Sequence, residues 1–302
     1  MLICDDYLTP ASVAEAFAAM KQHRGRYRVV AGCTDTFPWA REGRAGEVEI
    51  PVLIDVSRIP ELNELHVTER RVRLGAATPI QRFLDDAALM RALPAMPRCA
   101  VWFADDQIRA QATVGGNIVN ASPAADATPC LIAHEAAVEL VSAHGKRTMP
   151  LTDFVTGHNK TALQEGELLA AIECDALPGF GASFEKVGHR RSLVISLACV
   201  AALLKLDPDG RRIADARLAI AGICARPLRL ADVENFLRGK MISADLFEQA
   251  AEMPVSLVAS RTRQDYRREI VRGFMLRGLI NAARRAGADE DVLAPELEAA
   301  YA

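Results

Sequence analysis

Apolar and polar positions change their spacing along the chain, and each change marks an element. Behind Thr9-Pro10, which reads as a helix cap with proline in the first turn, Val13, Ala16, Phe17 and Met20 recur at helical intervals and give one apolar face. Residues 27–31 read as a short buried strand, 32–36 as a tight loop, and 37–41 as the start of a helix. A second strand is predicted at 52–56. Residues 65–67 and 72–74 flank the charged Thr68-Glu69-Arg70-Arg71, the pattern of a hairpin. Thr78-Pro79 reads as the cap of a helix running to Leu84. Pro94 and Pro97 are expected to break the next helical pattern ahead of Trp102-Phe103-Ala104.

A second hairpin is predicted from 137–141, a turn at His144-Gly145 and 147–149, followed by a helical turn at Leu151–Phe154. Strands at 168–173 and 182–187 are separated by Leu177-Pro178-Gly179-Phe180-Gly181, and this Pro/Gly stretch predicts a domain boundary. Beyond it, 196–206 and 213–223 form a long hairpin around Asp207-Pro208-Asp209-Gly210. Helices follow at 230–237, 244–252 and 263–286. The last carries Arg263, Arg267, Arg268 and Arg272, which read as a solvated helix face or, alternatively, as a subunit interface. No internal repeat or low-complexity segment is present.

Composition narrows the function classes. With 302 residues, half of them hydrophobic and a quarter charged, the chain is long enough for two domains with a sizeable core. A net charge of −3 argues against a nucleic-acid binder, which needs a basic surface to displace counterions. The longest apolar run, near 195–206, is too short to span a bilayer, and the first residues lack the pattern of a signal peptide, so a cytoplasmic protein is expected. Seven scattered cysteines without a Cys-x-x-Cys pair read as reduced, mostly buried thiols and argue against a zinc or iron–sulfur site in this chain. His134 and His158 lie at element ends and read as hydrogen-bonded or solvated side chains. No metal site is predicted.

The chemistry concentrates in Thr113-Val114-Gly115-Gly116-Asn117-Ile118-Val119-Asn120-Ala121-Ser122-Pro123-Ala124-Ala125-Asp126, which is small, polar and free of charge until its final carboxylate. Gly115 and Gly116 permit positive φ and leave backbone amides uncovered. With the hydroxyls of Thr113 and Ser122, those amides suit an anion, while Asn117, Asn120 and Asp126 suit sugar hydroxyls. That inventory fits a nucleotide with a diphosphate; it also fits a tight turn at a sheet edge. Gly32–Thr36, a small-residue loop between a strand and a helix, is a second place to seat a phosphate, or a plain connector. Trp102-Phe103 can stack on a flat ring or fill the core.

Four segments in fixed order resemble the FAD-binding medium subunit of the molybdenum hydroxylases, the xanthine dehydrogenase and carbon monoxide dehydrogenase family. They are Val29-Val30-Ala31-Gly32-Cys33-Thr34-Asp35, then Gln107-Ile108-Arg109 with Ala112-Thr113-Val114-Gly115-Gly116-Asn117-Ile118, then Ala121-Ser122-Pro123 with Asp126, and last Phe184-Glu185-Lys186-Val187 with Arg190-Arg191. The resemblance runs from Tyr7 to the last helix. It implies an α+β fold: a two-lobed FAD-binding domain of the vanillyl-alcohol-oxidase/PCMH type, followed by a smaller domain with a three-stranded antiparallel sheet and a helical bundle. On this chain those are residues 1–176, with lobes of about 1–57 and 58–176, and residues 177–302.

The resemblance also implies roles. Arg28, Val29, Val30, Ala31, Gly32, Cys33, Thr34 and Asp35 match a first diphosphate loop, and Thr113, Val114, Gly115, Gly116 and Asn117 a second, with Ser122 nearby. Phe103 matches an aromatic packed on the cofactor, and Asp126 a carboxylate that fixes cofactor hydroxyls. Leu168 and Lys186 match residues beside the isoalloxazine ring, where a cation stabilises the reduced flavin. FAD is expected to be noncovalent. Partners are expected to be a small subunit with two two-iron clusters and a large molybdenum-cofactor subunit, with electrons leaving FAD for NAD or another acceptor. The loop 187–192, with Arg190 and Arg191, is expected at the mouth where a pyridine nucleotide approaches. No residue stands out as a general acid, base or nucleophile.

Three departures from the family pattern matter. Cys33 stands where a second glycine is usual, Ala124-Ala125 replaces a site often containing glycine, and Asp105-Asp106 is unusually acidic. No cysteine-rich insertion for a further cluster is present. Two rival readings follow: a self-sufficient flavin oxidoreductase of the same broad fold, and an assembly subunit that has lost its cofactor, the latter kept open by Cys33.

Overall fold

The structure, a computed structural model, describes residues 2–42, 48–190, 194–259 and 262–289. In the first lobe, β1 (Asp6–Leu8), β2 (Tyr27–Val30) and β3 (Val52–Asp55) form a parallel sheet in the order β1-β3-β2, with α1 (Val13–Gln22) crossing between β1 and β2. Ser12, rather than Thr9, caps α1. Its hydroxyl accepts from Glu15 N, and the Glu15 carboxylate reaches back to Ala11 N at 2.8 Å, so Thr9-Pro10 stays outside the helix. Beyond β2 the chain turns into α2 (Thr36–Glu42).

The second lobe is a five-stranded antiparallel sheet with helices on one side. β4 (Leu65–Val67) and β5 (Arg71–Gly75) form the predicted hairpin. Thr78 does not start a helix: Pro79 bridges to Thr113, and the helix shrinks to Arg82–Asp85. A helix at Ala87–Ala92 ends ahead of Pro94 as expected, but Pro97 does not break the one that follows. α3 (Ala95–Trp102) begins after Pro94 and holds Pro97 in its first turn, where no intrahelical N–H bond is lost. α4 (Asp106–Gln111), α5 (Val114–Asn120) and α6 (Ala127–Ala133) follow, then β6 (Ala137–Ser142), β7 (Gly145–Pro150) and β8 (Leu168–Asp175). The sheet order is β4-β5-β8-β6-β7.

After the 177–181 stretch come three long antiparallel strands, β9 (Gly181–Val187), β10 (Ala198–Leu206) and β11 (Ile213–Ala221), with a two-residue edge strand β12 (Leu228–Arg229). α7 (Ala231–Leu237), α8 (Ala244–Glu252) and α9 (Gln264–Arg285) complete the chain. The unbroken apolar run of β10 is explained by burial on both faces. Cys199, Ala201 and Leu203 pack into the core built on α3 and α6, while Val200, Ala202 and Leu204 pack into the core of α7 to α9. The boundary legible in the chain is therefore not a boundary in the packing. Among the described residues no helix is long and apolar enough to cross a membrane.

His134 ends α6 at this junction and is wholly buried, its Nδ1 3.0 Å from the Asp175 carbonyl and its Nε2 without a partner. A carbonyl only accepts, so Nδ1 carries the proton and the ring is neutral. Burial pushes its pKa down to about 4 from 6.5. Between those values the unfolded chain binds a proton that the folded one does not, so stability falls with falling pH across that window. The loss amounts to about 3 kcal/mol. His134→Phe should flatten this part of the acid limb. Urea midpoints at pH 7 and 4.5 test it, and equal acid sensitivity in both proteins would refute it.

Candidate nucleotide-binding site

The first loop lies at the carboxyl edge of the parallel sheet, where open α/β sheets receive ligands. There the Tyr7 hydroxyl donates to Asp55 Oδ2 at 2.5 Å, and Asp55 Oδ1 accepts from Ser57 N at 2.8 Å. This bond pushes the Tyr7 hydroxyl up to about 12. Both residues escape motif reasoning, since Tyr7 and Asp55 pair only when β1 and β3 do. Between β2 and α2 the chain passes through Cys33, whose φ of +55° is left-handed. A left-handed residue flanked by ordinary ones turns successive amides toward one point and makes an anion nest. Among the described residues no protein carbonyl or side chain accepts from the amides of Gly32, Cys33, Thr34 or Asp35.

Cys33 thus occupies a conformation that costs a non-glycine residue on the order of 1 kcal/mol. Burial, then the charge of Asp55, pushes its thiol up to about 11, so it adds no negative charge beside the nest. Cys33→Gly is expected to bind FAD at least as tightly as the native chain, with stability within about 1 kcal/mol, because relief of strain offsets the added freedom of the unfolded chain. Cys33→Val, β-branched in the same conformation, should weaken both. Flavin titration and urea unfolding of the two variants distinguish these outcomes; a tighter-binding valine variant would refute the account.

Gly32 has a different reason to be glycine. A Cβ there would lie 1.9 Å from the Gln111 carbonyl oxygen, so the first loop sits directly on the backbone entering the second. That second segment differs from its sequence reading. Thr113 caps α5, and Gly115 and Gly116 are helical, with no positive φ. Their amides are not uncovered: Val114 N donates to Thr78 O (2.9 Å), Gly115 N to Ala76 O (2.8 Å), Gly116 N to Thr113 Oγ1 (3.0 Å) and Asn117 N to Thr113 O (3.0 Å). Close approach requires the first glycine, since a Cβ on Gly115 would lie 2.6 Å from Ala76 O. Among the described residues Asn117 Oδ1 is a buried acceptor with no partner. In the turn beyond, Ser122 Oγ accepts from Ala124 N at 3.3 Å.

The third part gathers Phe103, Lys186 and Asp126. Phe103 ends α3, half-buried against the core, and its carbonyl accepts from the buried Arg109 at 3.1 Å. Arg109 also donates to Gln81 Oε1 and pairs with Asp106, while Asp105 caps α4 through Ile108 N. The acidic pair is thereby a helix cap and an arginine partner. Lys186 Nζ lies 2.5 Å from Asp126 Oδ2 and 3.3 Å from Trp102 O, and Ser196 Oγ donates to Asp126 Oδ1 at 2.5 Å. Both ionic side chains are almost fully enclosed, at 6% and 9% exposure. Burial holds the Asp126 carboxyl above its usual range, opposed by Lys186 and Ser196. Asp126 therefore faces protein donors on both oxygens, and the sequence alone does not pair it with Lys186.

Leu168 stands apart from this group: it is buried at the start of β8 in the core beneath the first lobe, with Ala77 and Ala170. Val29 and Ala31 pack toward α1, Val30 is buried on the opposite face, and Arg28 is exposed on β2. Arg191 and Ser192 lie outside the described residues.

Among the described residues this two-lobed fold carries an amide nest that no protein group fills and an aromatic end next to a buried lysine, an arrangement that suits a nucleotide cofactor. The family model described as "FAD binding domain in molybdopterin dehydrogenase" matches residues 3–174, and "CO dehydrogenase flavoprotein C-terminal domain" matches residues 183–282, leaving the 177–181 stretch in the gap between them. The chain is 32% identical over 235 residues to the glyceraldehyde dehydrogenase medium chain of Sulfolobus acidocaldarius, covering 76% of this chain and 83% of that one. It is 29% identical over 243 residues to the xanthine dehydrogenase FAD-binding subunit of Escherichia coli O157:H7, covering 78% and 82%. A chain of the carbon monoxide dehydrogenase of Hydrogenophaga pseudoflava superposes with a TM-score of 0.86 at 27% identity, covering 94% and 99%. The protein belongs to the FAD-binding medium subunits of the molybdenum hydroxylases and is an oxidoreductase subunit of that family.

Proposed function

We propose that this chain holds FAD noncovalently and works as the electron-transferring subunit of a molybdenum hydroxylase complex. The observation that carries the reading is the set of unpartnered amides from Gly32 to Asp35, packed by Gly32 against the backbone leading to Thr113. Those amides suit a diphosphate, with Thr113 to Asn117 as the facing wall. Phe103 offers the flat contact, its place fixed by Arg109. Leu168 lies deeper, as support beneath the lobe junction.

Bound FAD supplies redox chemistry in one- or two-electron steps. The chain's part is electrostatic. Lys186 has three N–H donors, and two are engaged by Asp126 and Trp102 O, which leaves one for an acceptor on the ring. An iron–sulfur small subunit and a molybdenum-cofactor large subunit would deliver the electrons, and NAD or another acceptor would remove them, with Arg190 beside the approach. The test is the visible spectrum of the purified chain, followed by heat denaturation. Oxidised-flavin bands and FAD released into solution are expected. A flavin retained by the denatured chain would favour a covalent, self-sufficient oxidoreductase. No flavin, even after incubation with FAD, would overturn the reading.

A further inference from the structure

Arg267 departs from the other charges of α9. Arg272 pairs with Glu252 and Glu269, and Arg268 pairs with Asp265, as a solvated face requires. Arg267 instead points inward, at 8% exposure, and its partners are backbone carbonyls: Leu197 O, Gly222 O at 2.6 Å and Thr262 O at 3.1 Å. Among the described residues no carboxylate accepts from it. A buried guanidinium neutralised by no anion is a costly way to fill space, and three backbone carbonyls depend on it for their donors. Its contribution is positional.

Two of the three carbonyls belong to the walls around Asp126. Leu197 follows Ser196, whose hydroxyl binds Asp126, and Leu197 N donates to Val187 O at 2.8 Å, next to Lys186. Gly222 N donates to Pro123 O at 2.8 Å, three residues before Asp126. One guanidinium thus ties together the end of the strand carrying Lys186, the segment carrying Ser196 and the turn carrying Asp126.

We propose that Arg267 and Ser196 are positioning residues that hold Asp126, and through it the Lys186 ammonium, in one orientation at the flavin end of the site. The inference rests on the FAD reading for its redox consequence, but its geometry stands without the cofactor. Arg267 holds the Leu197 carbonyl, Leu197 N holds the end of β9 at Val187, and Ser196 locks onto the buried carboxylate. Without the Ser196 hydroxyl, Asp126 loses one of its two fixing donors and draws harder on Lys186, so the ammonium is less well placed and a negatively charged reduced flavin loses part of its stabilisation.

The experiment uses the full chain with Ser196→Ala, Arg267→Met and Arg267→Lys, and with Arg268→Met as an exposed control. Limited trypsin cleavage after Arg190, measured without FAD, should accelerate at least fivefold in Ser196→Ala and Arg267→Met, with the control unchanged. Arg267→Lys, with one point donor in place of a fork, should fall between. With FAD bound, the ratio of reduced to oxidised flavin in Ser196→Ala at fixed potential should fall about tenfold, equivalent to about 30 mV for two electrons. Native cleavage rates in both variants would overturn the proposal, as would a native ratio in Ser196→Ala. If Arg267→Met does not fold, Ser196→Ala decides alone. If the native chain binds no FAD, the proposed function fails while the cleavage arm still judges the positioning.

Discussion

Gly32→Ala is expected to abolish FAD binding and to lower stability by about 3 kcal/mol or more. The added Cβ would lie 1.9 Å from Gln111 O, 2.6 Å from its carbonyl carbon and 3.2 Å from Ala112 Cα, all backbone atoms with no rotamer to yield. Nor is that backbone free to retreat: Ala112 N donates to Ile108 O at 2.7 Å, and Ile80 N donates to Ala112 O at 2.9 Å. Relief therefore requires the two loops to separate, which opens the proposed diphosphate cradle. The contrast with the next residue is sharp, because Cys33→Gly should be tolerated and Gly32→Ala should not, although both exchange one small residue for another. Urea unfolding with flavin titration checks both. Native affinity in Gly32→Ala would mean that the loops do not touch as described.

What was legible in the sequence follows from which interactions are local. The strands and the long hairpin of the second domain were readable because burial on one or both faces writes a period into the residues, as in β10. The order of the small-residue motifs identified the cofactor class. Their detailed use was not readable. Gly115-Gly116 looks like a flexible loop, yet Thr113 caps a helix there and the first glycine serves close approach to Ala76, from another segment. Ser12 displaced Thr9 as a cap because the Glu15 side chain completes the box one residue outside it. Arg267 and Arg268 are neighbours with the same charge, and only the crossing of α9 over β10 sends one inward. The pairing of Asp126 with Lys186 spans 60 positions and two domains, and no local pattern encodes it.

That pair carries the other large expectation. Lys186→Met should destabilise the chain by about 3–5 kcal/mol at pH 7, because it strands a carboxylate with 8% exposure among neutral donors. The sign of its pH dependence follows from burial, which already holds the Asp126 carboxyl above its usual range. Without the ammonium the carboxyl rises further. A carboxyl that protonates more readily in the folded state than in the unfolded one favours folding as pH falls, so Lys186→Met should recover stability between pH 7 and 5. Asp126→Asn leaves the ammonium stranded instead, and acid brings no such recovery. The double variant Lys186→Met with Asp126→Asn should lose less than the sum of the two single losses, since neither charge is left alone. Urea unfolding of the four proteins at pH 7 and pH 5 measures this cycle directly. Additive losses with no recovery at pH 5 would show that the two groups do not share the buried contact. A strongly coupled cycle, with the stabilised double variant showing an altered flavin potential, would separate the pair's role in folding from its role at the cofactor.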